Sequence, residues 1–412
     1  LDITQELPEL LCPAGDMERL QTAFVYGADA AYLGGPHLNL RSRAKGFSPA
    51  DLAKAIIMAR NHNARIYYCL NALPLQNDTA LVRDQLEQLS GLDIQGLIVA
   101  DPGVLSLARK HAPHLALHLS TQANTCNAYS VNFWKDQGVK RVNLSRELDL
   151  KGIKAISSAV KDIELEIFVH GAMCMAISGR CFLSAHLNAR SANQGHCAHP
   201  CRYEYRPFIM DLEERTRPGY PVWQLEQGEN YSRIFSARDL CLVKYIPWFA
   251  RNNIHSLKIE GRTKSAAYLA IVTDVYRTAL DDFARKNFRP VEYLEELALI
   301  CTRAMSTGFF LKKRTVLADQ QKAALRNKKV LARVLEKIEG DKWLVQIKEK
   351  WPDSIDIELV LPRLQRVFIP SINYCLENKS GLQTRMAHSG TIAVLRCDHD
   401  QIRENIFIRE NN

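Results

Sequence analysis

No stretch of this 412-residue chain is apolar over the width of a bilayer; its apolar runs, such as Leu-Ile-Val-Ala at 97–100, have the length of strands. A membrane-spanning helix is therefore not expected. Low-complexity tracts are missing too, and 47% hydrophobic with 24% charged residues is the composition of an ordinary globular protein. The opening LDITQELPELLC lacks the basic-then-apolar layout of a signal peptide. Eleven cysteines, an odd number, without an export signal point to reduced thiols in a cytoplasm rather than a disulfide framework. The chain has no H-E-x-x-H, no G-x-S-x-G and no Walker loop, which sets aside the common zinc-peptidase, serine-hydrolase and P-loop chemistries.

The length exceeds one small core and implies a domain of about 250–300 residues with a smaller companion. A net charge of +9 suits a polyanionic partner.

Up to residue 262, short apolar strands alternate with amphipathic helical segments. The strands fall at 9–12, 30–34, 64–71, 96–101, 115–121, 141–146, 165–171 and 256–261. Helices are expected over 16–26, 49–61, 79–89, 129–137, 150–160 and 239–251, then 264–287 and about 290–305. Pro49 and Pro102 suit a first helical turn, where the missing N–H costs nothing. Strands rich in Val, Ile and Leu between helices imply a parallel sheet covered on both faces. Eight such units predict an α/β fold, a TIM-like (β/α)8 barrel. A doubly wound open sheet is the alternative. Its G-x-G-x-x-G fingerprint is absent, the first strand running into Cys12-Pro13-Ala14-Gly15-Asp16.

In a barrel the carboxyl ends of the strands form the active-site rim. Those ends carry Gly15, Arg41, Arg43, Asn71, Asp101, Gln122, Arg146, His170 and Glu260, a polar set converging on one mouth. After Phe310 the pattern changes to six short strands without helices, at 330–336, 342–348, 355–361, 365–371, 390–396 and 405–410. This predicts a small C-terminal antiparallel β-barrel over 311–412, following a catalytic barrel over 1–310. Residues 312–412 hold 19 Lys and Arg against 13 Asp and Glu, consistent with contact to RNA or simply with a solvated surface.

Four cysteines, Cys174, Cys181, Cys197 and Cys201, fall within 28 residues as C-x6-C-x15-C-x3-C, in a loop expected over 171–235. Structural zinc usually takes two close pairs, and only Cys197 and Cys201 approach that. Wide, uneven spacing suits an iron–sulfur cube, whose irons sit at separated corners. Zinc and unliganded buried thiols remain open at this point. Cys241 falls on the helix expected at 239–251 with apolar neighbours, and is read as core. The remaining cysteines are scattered. A cysteine peptidase would pair a thiolate with His170, but a thiol committed to a metal cannot be the nucleophile.

The stretches ELLCPAGDMERLQTAFVYGADAAYLGG, IFVHGAMCMAISGRCFLSAHL, NQGHCAHPCRYEY and SLKIEGRTKSAAYLAIVTDVYR resemble the collagenase-like, U-type peptidase family, over about residues 9–285. That family includes oxygen-independent hydroxylases of RNA and of ubiquinone precursors. Leu40-Arg41-Ser42-Arg43, Asp101-Pro102-Gly103, Ser120-Thr121-Gln122-Ala123-Asn124, Leu144-Ser145-Arg146-Glu147-Leu148 and Cys201-Arg202-Tyr203-Glu204-Tyr205 look most like its prephenate-dependent tRNA uridine 5-hydroxylases. The resemblance implies a 4Fe–4S cluster on Cys174, Cys181, Cys197 and Cys201 and prephenate as the source of the hydroxyl group. It also implies the tRNA anticodon loop as partner, with neither DNA nor a membrane involved. On that view Arg41, Arg43 and Arg146 grip the two carboxylates of prephenate. Asn71, Asp101 and Gln122 complete the substrate site, and His170 and Glu260 transfer protons. Ribosomal-RNA hydroxylation, peptide hydrolysis and a non-catalytic RNA-binding role are the alternatives.

Overall fold

The helices of the first two-thirds of the chain begin where the sequence offers a side-chain acceptor. Asp16, Ser48, Asp101, Asn127, Asp149 and Ser265 each accept a first-turn N–H. They open Met17–Val25 (α1), Pro49–Asn61 (α2), Pro102–His111 (α4), Ala128–Asp136 (α5), Leu150–Ala159 (α6) and Ala266–Ala284 (α9), with Thr79–Ser90 (α3) between. The computed structural model describes residues 7–40, 46–174, 176–203, 226–227, 232–233, 238–301, 303–311, 328–378 and 380–411.

Between the helices run Glu9–Pro13 (β1), Ala30–Leu33 (β2), Arg65–Leu70 (β3), Gly96–Val99 (β4), Ala116–Leu119 (β5), Val139–Asn143 (β6) and Glu164–Ala172 (β7), then Asp239–Cys241 (β8) and Ser256–Ile259 (β9). β1 to β7 pair in parallel in chain order. β9 closes the circle, pairing in parallel with β7 and with β1. The predicted eight-stranded barrel therefore forms, and the open sheet does not. The long α9 packs outside it and is almost wholly buried.

The lower barrel interior is polar. Glu9 accepts from Arg141 at 2.5 Å and from Tyr67 at 2.8 Å; Glu166 accepts from Lys258 at 2.7 Å and Asn143 at 2.9 Å. Each buried charge here meets an opposite one, which holds the desolvation cost in check.

β7 carries a bulge. Opposite β9, Lys258 faces Phe168 but Ile259 faces His170, leaving Val169 as the extra residue. The extra residue reverses the in–out alternation of the strand beyond it. The His170 ring accordingly packs on the outer helix α9, 6.0 Å from Tyr268 and 5.5 Å from Tyr276. It is 1% exposed, and neither ring nitrogen has a hydrogen-bond partner among the described residues. The expectation that His170 transfers protons at the mouth is thereby corrected. Burial, reinforced by Lys264 and opposed by Glu260, pushes its imidazole pKa down to about 3.

A second correction concerns 239–251. Its first residues form β8, which pairs antiparallel with the upper end of β7, and the helix is confined to Ile246–Arg251 (α8). Cys241 is buried as expected, but on a strand. The helix foreseen at 290–305 stops at Pro290–Ala298 (α10), and Met305–Ser306 (β10) pairs with β8. In both places pairing with a neighbouring strand overrides local helical character.

The C-terminal region is an antiparallel sheet of Val330–Glu339 (β11), Lys342–Ile347 (β12), Ile357–Leu361 (β13), Gln365–Ile369 (β14), Cys375–Glu377 (β15), Gln383–Thr384 (β16), Ile392–Arg396 (β17) and Phe407–Glu410 (β18). Their order is β14-β13-β18-β11-β12-β17-β15-β16. Leu331, Val345, Leu359, Leu376, Leu395 and Ile408 share one core, so the sheet curls around its own apolar face. The six predicted strands are present; β15 and β16 are additions too short to show a period.

Charge joins this sheet to the barrel. Arg366 binds Asp274 of α9 at 2.9 Å and Glu296 of α10 at 2.8 Å, and Arg409 grips Glu296 with two bonds of 2.7 and 3.1 Å. Burial raises the Asp274 carboxyl despite Arg366. At Glu296 burial also raises, but Arg366 and Arg409 prevail and hold it below its ordinary value. Among the described residues no helix is long and apolar enough to cross a membrane.

Two outcomes are expected. Arg366→Met leaves Asp274 without its cationic partner, only backbone N–H groups and Thr278 remaining, and costs about 3–5 kcal/mol of stability, measured by urea unfolding. His170 carries a lowered folded-state pKa, so its contribution is complete above the unfolded value near 6.5 and is lost as pH falls toward 3. The slope is about 1.4 kcal/mol per pH unit for this one group. Melting temperatures between pH 7 and pH 4 should fall less steeply in His170→Phe than in the parent.

Candidate active site at the barrel mouth

Residues of one strand that are two apart share a face, so Lys258 and Glu260 both face the barrel interior, and Arg262 follows them to the mouth. With Asn71, Gln122 and Arg146 from the loops after β3, β5 and β6, they line a cleft whose walls include Tyr32 and Phe168. Four sequence-predicted residues, Asn71, Gln122, Arg146 and Glu260, therefore come together. Asp101 does not join them: its carboxylate caps α4, accepting from the Val104 N–H at 3.0 Å. Arg41 and Arg43 lie outside the described residues. Lys258, Arg262, Ser120 and Cys69 line the cleft without having been anticipated. The alternation Lys258-x-Glu260-x-Arg262 at a barrel strand's end was the available signal.

The cleft walls hold three cations against one carboxylate. Arg146 lies over the Phe168 ring, 3.9 Å from its centre, and donates to the Ala172 carbonyl at 2.7 Å. Its Nε is buried without a partner among the described residues. Lys258 sits 4.6 Å over the Tyr32 ring while paired with Glu166, and Arg262 donates to Asn39 at 2.8 Å. Glu260 accepts the Ala172 N–H at 3.3 Å. Asn71 donates to Ser120 at 3.3 Å, and the Ser120 hydroxyl donates to Gln122. Cations held against aromatic faces with donors to spare form a receptor for a small, multiply charged anion.

Across this mouth lies the cysteine-bearing stretch at 176–203, part of the connection between β7 and β8. Gly179 and Gly195, at φ +76° and +90°, let it touch the barrel: a Cβ would come 2.5 Å from the Gln122 and Asn39 carbonyl oxygens respectively. Further ties are Arg180 to Asn124 at 3.1 Å, the Ser178 N–H to Glu147 at 3.2 Å, and the Leu73 N–H to the Asn193 carbonyl at 2.9 Å. The loop thus rests on the segments that follow β2, β3, β5 and β6.

Cys174 leaves the end of β7 exposed; Cys181, Cys197 and Cys201 are half-buried, and none is in a disulfide. Burial raises the Cys201 thiol pKa; Arg202 lowers it, while Cys174, Cys197 and Cys181 raise it further, so the four sulfurs share one neighbourhood. The His199 N–H donates to Cys197 Sγ at 3.3 Å. Among the described residues the side chains are not drawn into a closed metal-ligand shell. Four sulfur donors are nevertheless the set that soft centres take, and the residues present fit one.

The model of Peptidase family U32 matches residues 15–320. The chain is similar to the Helicobacter pylori (strain J99) protein named tRNA hydroxylation protein P, at 39% identity over 315 residues, 76% of this chain and 74% of that one. It is 40% identical over 306 residues to the Bacillus subtilis tRNA hydroxylation protein P1, covering 74% and 71%. It is also similar to the Escherichia coli tRNA hydroxylation protein P, at 34% identity over 410 residues, 90% of this chain and 88% of that one. With the family model spanning nearly all of the barrel, and relatives of this similarity along most of their length, the chain belongs to peptidase family U32.

Proposed function

We propose that the protein is an oxygen-independent RNA hydroxylase that forms 5-hydroxyuridine at the wobble position of tRNA with prephenate as hydroxyl donor. The observation that carries this reading is the cationic cleft beneath a four-cysteine loop, in a chain whose relatives are named for tRNA hydroxylation. A dicarboxylate matches the cleft's two arginines, Arg146 and Arg262, better than a peptide does. A peptidase reading lacks its machinery: Ser120, the hydroxyl in the cleft beside Gln122 and Asn71, has no imidazole partner among the described residues.

Each residue then has a physical task. Arg146 has a guanidinium fixed by Phe168 and the Ala172 carbonyl, and it binds one carboxylate through its remaining N–H groups. Arg262 supplies the complementary charge for the second, above a Lys258 already paired with Glu166. Glu260, the carboxylate among the cleft-lining residues, is the group available to take up a proton. Asn71, Ser120 and Gln122 form a hydrogen-bonding edge able to read a polar ring. The base itself would arrive from an RNA loop, where unstacked bases can be turned out of the strand. Cys174, Cys181, Cys197 and Cys201 would hold a 4Fe–4S cluster, which when bound supplies one-electron redox chemistry at the mouth.

Mass spectrometry of tRNA from a strain lacking the gene should show the loss of 5-oxygenated wobble uridines, restored by this chain; an unchanged nucleoside profile would reject the reading. Arg146→Ala should raise the KM for prephenate by about 10-fold or more, from loss of charge-assisted hydrogen bonds. Arg146→Lys should recover only part of that, because a point charge cannot reproduce the planar fork.

A further inference from the structure

From Ile167 to Tyr203 the chain runs 37 residues without a single Asp or Glu, while carrying Arg180, Arg190 and Arg202. Surface loops ordinarily mix the two signs. Two of these arginines are also held in an unusual way: Arg180 donates its Nε to Asn124 at 3.1 Å, and Arg190 donates its Nε to the His196 carbonyl at 3.0 Å. Neither meets a carboxylate among the described residues. A single neutral bond at Nε fixes the plane of the guanidinium and leaves its terminal N–H groups to an outside acceptor.

Beside Arg190 lies a cavity of about 480 Å3 lined by Ala185, Ala189, Arg190, Ser191, Gln194 and His196, which shares no residue with the cleft. Next to it stands the short helix Leu183–Asn188 (α7), preceded by Phe182. Phe182 is 72% exposed, and its ring lies 6.2 Å from that of His186. So large an exposed aromatic surface within a cationic, acid-free stretch offers a stacking platform for a planar group.

We infer that this face of the cysteine loop is a second RNA-contact site, in which Phe182 stacks on an unpaired base and Arg190 and Arg180 bind the adjoining phosphates. The inference rests on the RNA substrate proposed above and adds where the strand lies when its target base is in the cleft. An exposed aromatic accepts any base face, and guanidiniums without acid partners track a backbone; together they suit a single-stranded loop, not a duplex. Ser191 and Gln194 offer hydrogen-bonding groups to one base edge inside the cavity. The cysteine loop then serves as metal holder on one side and strand guide on the other.

The test is fluorescence anisotropy with a labelled anticodon stem–loop RNA and a duplex of the same stem, using the protein as purified and its variants over a range of salt. Phe182→Ala should weaken stem–loop binding by about 5-fold or more, the loss of one stacked base, and leave duplex binding unchanged. Phe182→Tyr should restore it. Arg190→Ala should flatten the dependence of log K on log salt by about 0.7, one phosphate contact on a single strand. Iron content and circular dichroism equal to the parent's identify a binding defect as local. Wild-type affinity and salt slope in both alanine variants, or equal loss on the duplex, overturns the site. Failure of the parent to bind the stem–loop at all would instead remove the RNA substrate, a distinguishable result.

Discussion

The pairing of β9 with both β1 and β7 is the contact on which the site depends. It closes the sheet, and in doing so it fixes the direction of Lys258 and Glu260 into the barrel, with Arg262 following at the mouth. Closure also sets the height of β7, whose upper end delivers Cys174 to the mouth. The bulge at Val169 adjusts the two strands to one another. Its consequence is a division of labour along β7: Glu166 and Phe168 serve the interior, while His170 is buried against α9.

Electrostatics then divides the interior into two levels. Below, Glu9 and Glu166 neutralise Arg141 and Lys258, so this level carries little net charge despite its polar side chains. Above, Arg146 and Arg262 meet only Glu260 among the groups lining the cleft, and the surplus is positive. Residues 167–203, which carry the four cysteines over that level, add arginines and no acids. A dianion would find its countercharges at the mouth and meet the satisfied pairs deeper down, which limits how far it can enter.

The barrel was legible because strands of Val, Ile and Leu alternate with helices opened by Asp, Ser and Asn, a local pattern that agrees with the global fold. The cysteine loop was legible because thiols are few and their spacing is conspicuous. Other features were not. His170 was misplaced by one extra residue in a strand, which no periodicity records in advance. Asp101-Pro102-Gly103 looks like a rim motif, yet an Asp before a Pro is equally a helix cap, and capping claimed it. Lys258 was passed over because a lysine within an apolar strand reads as a register detail, although its spacing from Glu260 and Arg262 marks one face. Asp239–Cys241 became a strand only through the partner that β7 offered.

The proposed chemistry turns on what the four thiols hold. Anaerobic purification followed by iron, acid-labile sulfide and zinc analysis, on the parent and on Cys197→Ser, addresses this most directly. The account predicts about four irons and four sulfides per chain in the parent, as in a four-cysteine cube, and loss of both in the variant. A colourless parent carrying one zinc per chain and no sulfide would contradict it.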